Sequence, residues 1–159
     1  MFMATTAKID VKENGILGSL RGFFKDILEL EDIRAILVPQ HLPMKDMVMP
    51  TLVTDTNHLN GVDPLAPAFA LNAAKIVARL TRKPMGAKVA ALLRPCEIRA
   101  FVELVKLKQG CTDEVILIGM DCLGALRNKD YFQLVEQNAA ESTVMFYKHA
   151  LRGKSTQTG

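Results

Sequence analysis

Lys88-Val-Ala-Ala-Leu-Leu93, then Glu97 to Lys108, then Val115-Ile-Leu-Ile-Gly-Met120 is the stretch that decides the fold. The first and last segments are short apolar runs, the pattern of strands buried on both faces. Between them, apolar residues recur at helical spacing until Gln109-Gly110 closes the segment. Strand, helix and strand in that order make a β–α–β unit, which requires parallel strands and a right-handed crossover.

Working outward, Ile16, Leu17, Leu20, Phe23, Phe24, Ile27 and Leu28 form a helical stripe entered through the turn Asn14-Gly15. Ile33 to Val38 reads as a buried strand bounded by Pro39. Residues 39–50 contain three prolines and three methionines, so a structured loop is expected there, with a short strand at Thr51 to Thr54. Asp63-Pro64 is a turn, Ala66 to Arg82 reads as a helix ending at Lys83-Pro84, and one or two helices cover Tyr131 to Leu151. The expected fold is α/β: a mostly parallel central sheet flanked by helices, in a Rossmann-like three-layer arrangement. Its single domain spans 14–152, between a polar start (1–13) and a tail (153–159) that has nothing to bury.

The length of 159 residues suits one domain with a sizeable core, and 49% hydrophobic with 23% charged residues is ordinary globular composition. The net charge of +3 is spread among acids along the chain, which gives no footprint for nucleic acid. Leu65 to Leu80 is the most apolar helix candidate, but Asn72, Lys75 and Arg79 exclude a membrane span. No signal-peptide pattern opens the chain, and three cysteines make no disulfide framework, so a cytoplasmic location is expected.

Two of those cysteines follow strands directly. Cys96 comes in Leu93-Arg94-Pro95-Cys96-Glu97, where Pro95 suits a strand exit or a first helical position. A helix N-terminus offers unpaired amides that stabilise a thiolate. Cys122 comes in Gly119-Met120-Asp121-Cys122. If the strands are adjacent and parallel, both thiols lie at the carboxyl-end edge, where open α/β sheets build their sites. Cys111 precedes its strand and belongs at the opposite edge, about 20 Å away along a six-residue strand. Three readings of Cys96 and Cys122 stay open: metal-cluster ligands, a reactive thiol at Cys96, and packing as small hydrophobes. His41, His58 and His149 share no ligand spacing, so zinc has no support. Met44, Met47 and Met49 read as gap-fillers, and Arg79, Arg82 and Lys83 as complements to a helix dipole.

These same segments carry a family resemblance. Residues 88–100, with Arg94-Pro95-Cys96, and 116–124, with Asp121-Cys122, resemble the beta subunits of coenzyme F420-reducing hydrogenases and formate dehydrogenases. The glycine-rich Gly15-Ile-Leu-Gly18-Ser19-Leu-Arg-Gly22 and the segments Pro50-Thr-Leu-Val-Thr and Asp63-Pro64 extend the likeness over roughly residues 10–150. The resemblance implies a flavin and iron–sulfur electron-transfer subunit. It would pass electrons between a partner of hydrogenase, formate dehydrogenase or heterodisulfide-reductase type and a soluble hydride carrier, F420 or similar. Carried over, Cys96 and Cys122 are 4Fe–4S ligands, an incomplete set in this chain. The family supplies others from a later Cys-x-x-Cys that does not occur here, so a truncation or a half-site completed by another polypeptide is expected. Gly15, Gly18 and Ser19 would let FAD approach a helix start, although close helix packing explains the same glycines. Where many members have Gly-Thr-Pro-Cys-Gln, this chain has Leu93-Arg94-Pro95-Cys96-Glu97, which puts Arg94 beside the cofactors. Two rival functions remain: a thiol-based redox enzyme acting through Cys96, and a non-catalytic assembly subunit of an iron–sulfur complex.

Overall fold

A computed structural model describes residues 8–11, 13, 15–42, 47–68, 70–138 and 141–152. Most of the polar start, Asn14, residues 43–46, Phe69, residues 139–140 and the tail from 153 lie outside the described residues. The elements run α1 (Gly15–Leu28), β1 (Ile33–His41), β2 (Val48–Val53), a 3-10 turn (Thr56–Gly61) and α2 (Ala73–Leu80). β3 (Lys88–Leu93), α3 (Pro95–Lys106), β4 (Val115–Gly119), α4 (Asn128–Asn138) and α5 (Ser142–Leu151) follow.

The four strands lie in the order β2-β1-β3-β4. β3 pairs parallel with both β1 and β4, and Leu93 stands opposite Gly119 at the shared carboxyl end. β2 turns back antiparallel on β1. Alternation along the strands divides the core into two layers. Ile36, Val38, Ala90 and Leu92 pack with Phe24 of α1, while Leu37, Ala91 and Leu93 pack with Ala74 and Val77 of α2 and Phe101 of α3. With helices on both faces of a mostly parallel sheet, the expected three-layer α/β architecture holds.

Two local expectations need correction. Pro39 to His41 and Val48 to Pro50 are strand, not loop. Pro39 stands directly opposite Pro50. Neither proline has an amide hydrogen, so the pair takes a site where the antiparallel ladder needs none. The helix expected over Ala66 to Arg82 is confined to Ala73–Leu80. Asn72 caps it by accepting from the Ala74 amide at 3.0 Å. Upstream, the carbonyls of Ala66 and Ala68 are held by Arg94 instead of by helical amides. Tertiary hydrogen bonds outweigh local propensity here.

Gly110, after α3, passes close to α2. A Cβ there would stand 3.0 Å from Ala78 Cα and 3.2 Å from Ala78 Cβ. Gly110→Ala is expected to cost about 1–2 kcal/mol through overpacking, read as a lower urea midpoint at unchanged slope. An unchanged midpoint would show that α2 yields freely.

Candidate functional site at the carboxyl edge

Beyond the carboxyl ends of β1 and β3 the chain leaves in opposite directions, towards β2 on one side and α3 on the other. Such a divergence is where open α/β sheets form a crevice. It is lined by Leu37, Pro39, Val48, Leu93, Arg94 and Glu97 among others, and closed to about 30 Å³. Ala68, Ala70 and Leu71, from the segment that leads into α2, also line it. Val62 bridges to Gln40, and the Asp63 amide donates to the Pro39 carbonyl at 2.9 Å.

Arg94 and Glu97 hold this edge together. Arg94 is buried, and its Nη2 donates to the carbonyls of Ala66 at 3.1 Å and Ala68 at 3.0 Å. Glu97 is buried in the first turn of α3, with Pro95 at the helix start. One carboxylate oxygen accepts from the Arg94 amide at 3.0 Å and the other from the Ala73 amide of α2 at 2.8 Å. A negative side chain therefore fills the positive starts of two helices at once. The role of Glu97 was missed in the sequence. A proline at the first helical position with a glutamate two residues later is the signal that marks it.

Cys96 and Cys122 are both free and exposed. Each lies three residues beyond a strand end, past Leu93 and Gly119, and those ends are paired. Cys122 shares a small hollow with Arg94, Pro64, Leu65 and Asp121, whereas Cys96 does not line it. Among the described residues no group of three or more His, Cys, Asp and Glu side chains is arranged to hold a metal ion. Cys111 lies at the opposite edge as expected. Its amide donates to Thr81 Oγ1 at 3.0 Å, beside a cavity of about 260 Å³ that Arg82, Lys83, Asp113 and Glu114 also line.

Gly15, Gly18 and Ser19 open α1, on the sheet face away from α2 and α3. Gly15 has φ +77° and nothing within 4 Å of where a Cβ would stand. Backbone conformation, not close packing, accounts for that glycine. The Ser19 hydroxyl donates to the Gly15 carbonyl at 3.0 Å.

A second polar cluster went unrecognised. His41 Nε2 lies 3.0 Å from Asp63 Oδ2, and the Thr143 hydroxyl donates to the same oxygen at 2.6 Å. Residues 22 and 80 positions from Asp63 meet there, so neither spacing nor periodicity could announce it.

No protein-family model matches the chain. Among curated proteins it is 26% identical over 134 residues to the F420-dependent formate dehydrogenase subunit beta of Methanocaldococcus jannaschii, covering 80% of this chain and 35% of that protein. It is 28% identical over 122 residues to the F420-dependent formate dehydrogenase 1 subunit beta of Methanococcus maripaludis, covering 75% and 30%. The chain thus spans about a third of the length of these relatives. No described helix is long and apolar enough to cross a membrane. The likeness first met in the Arg94-Pro95-Cys96 and Asp121-Cys122 segments is thus accompanied by similarity over three quarters or more of the chain to the beta subunits of F420-dependent formate dehydrogenases.

Proposed function

We propose that this chain is part of an electron-transfer oxidoreductase subunit working between a formate dehydrogenase-type partner and a soluble hydride carrier of the F420 class. One observation carries the reading. On a homologue of F420-dependent formate dehydrogenase beta subunits, two exposed thiols stand at matching offsets beyond paired parallel strand ends. Thiolates are the ligands of iron–sulfur clusters, so the donor chemistry at Cys96 and Cys122 suits one. Two thiols are half of a four-thiolate set, and further ligands come from other polypeptide.

The flavin fits one helix start better than the others. At α2 and α3 the Glu97 carboxylate already accepts the Ala73 and Arg94 amides, which disfavours a pyrophosphate there. The entry to α1, with Gly15 in a left-handed conformation and open space above it, suits close approach of a phosphate to backbone. Gly15, Gly18 and Ser19 are therefore proposed to hold FAD, which when bound would convert between one-electron and hydride transfer. Arg94 shapes the edge from below through Ala66 and Ala68.

Anaerobic reconstitution with iron, sulfide and FAD tests the assignment. The chain alone is expected to lose most of its iron on desalting. Cys96→Ala and Cys122→Ala each lower what is retained further, while Cys111→Ala leaves it unchanged. A stoichiometric cluster that survives both desalting and Cys96→Ala would overturn the ligand assignment.

A further inference from the structure

We infer that the outer edge of β4 is a docking edge, where a β-strand supplied by another polypeptide, with basic residues at its two ends, extends the sheet. The docking does not depend on the cofactors assigned above, although the edge runs directly into Cys122.

The two edges of the sheet are built differently. β2 and β4 lie outermost, and no described strand pairs with the far side of either. On β2 the edge is blunted. Pro50 stands opposite Pro39 where the ladder needs no amide, so its nitrogen points outward and offers no donor to a newcomer. On β4 there is no such device. Val115-Ile-Leu-Ile-Gly119 has no proline, no lysine and no other charge. An all-apolar strand in parallel pairing is the type that normally lies covered within a sheet. Yet Ile116 is 40% exposed.

Hydrogen bonding shows which backbone groups face outward. The Glu114 carbonyl accepts from the Val89 amide at 2.9 Å, and the Met120 amide donates to the Leu93 carbonyl at 3.0 Å. Backbone groups alternate sides along a strand, so even-numbered positions face β3 and odd-numbered ones face the open edge. The Val115 amide turns back to the Thr112 carbonyl at 3.4 Å. The Val115 carbonyl and both backbone groups of Leu117 and of Gly119 have no backbone partner among the described residues. They present an incoming strand with a ladder about 17 Å long.

Charge selects the occupant. The nearest charged residues before and after the strand are acidic: Asp113 and Glu114, then Asp121. Glu114 is engaged inward, its carboxylate accepting from the Met85 and Gly86 amides. Asp113 and Asp121 are exposed. A second copy is disfavoured. Paired antiparallel in full overlap about Leu117, it would set Asp113 against Asp121 at both ends, and like charges directly opposed repel. A strand flanked by lysine or arginine meets attraction at the same two places. In the formate dehydrogenase relatives the matched segment is about a third of the chain, so a domain of this kind does occur alongside further polypeptide.

The 159-residue chain itself tests the inference, with the heptapeptide Lys-Val-Thr-Val-Thr-Val-Lys as probe. The peptide has no cysteine, so docking is read apart from any cluster. Amide exchange followed by NMR should slow at Leu117 and Gly119 on titration and stay unchanged along β2. Replacing both lysines of the peptide by glutamate should weaken binding about tenfold, as two cross-strand charge pairs turn from attractive to repulsive. The double variant Asp113→Lys with Asp121→Lys, altered only at exposed side chains, should prefer the glutamate peptide. No protection at Leu117 and Gly119 with either peptide would overturn the docking edge. Equal affinity for the two peptides would overturn the basic partner, as would a dimer of the chain alone with those amides already protected.

Discussion

Glu97→Ala is expected to destabilise the protein by about 3 kcal/mol, because it leaves two buried amides without acceptors at a cost of about 1–3 kcal/mol each. Those amides belong to Arg94 and Ala73, at the starts of α3 and α2. The first turn of a helix has no internal acceptor for its N–H groups, so nothing in either helix replaces the carboxylate. The cavity left by the side chain adds a smaller penalty, and relief of a buried charge offsets part of the sum. On a chain of this size, 3 kcal/mol corresponds to a fall in Tm of roughly 6–12 °C. Glu97→Gln separates charge from shape. Its single oxygen satisfies one amide, while its NH2 group faces the other donor to donor, so about 2 kcal/mol of the loss should remain. Urea unfolding monitored by circular dichroism reads both variants. If alanine costs under 1 kcal/mol, water replaces the carboxylate and the edge is wetter than its burial indicates.

Arg94→Met is expected to cost about 2–3 kcal/mol, with the damage concentrated in one segment. Arg94 is 8% exposed, and its guanidinium donates to two carbonyls on the stretch that replaces the expected helix. Methionine keeps most of the apolar stem but removes both hydrogen bonds. The carbonyls of Ala66 and Ala68, on residues buried in the cluster with Val48, Tyr131 and Val135, then lose their donor. Removing a buried cation recovers some desolvation energy, which keeps the net effect below the sum of the two bonds. Lysine brings a compact ammonium in place of the planar fork and should recover only part of the loss. Hydrogen exchange distinguishes this from a general core defect. Amides of 66–72 and of α4 should lose protection well before those of β1 and β3. A uniform loss across the sheet would show that Arg94 is not what holds the segment.

What the sequence determined by itself is the part encoded in short-range order. The runs at 88–93 and 115–120, with a helical stripe between them, lead to adjacent parallel strands because a β–α–β unit has few alternatives. Pro95 marks the start of α3, and the positions of Cys96 and Cys122 at one edge with Cys111 at the other follow from strand direction alone. The tertiary structure decided everything that depends on partners distant in sequence. Pro39 and Pro50 looked like loop residues until they were found opposite one another at a site that needs no amide. Residues 66–72 carry a helical composition, yet Arg94, 26 and 28 positions away from the carbonyls it binds, takes Ala68 and Ala66. Glu97 reaches 24 positions back to Ala73, and Asp63 reaches 80 forward to Thr143. Hydrophobic periodicity reports which face of an element is buried. It carries no information about which buried polar atom meets which, because that pairing is fixed only when the layers have packed and each desolvated donor must find an acceptor.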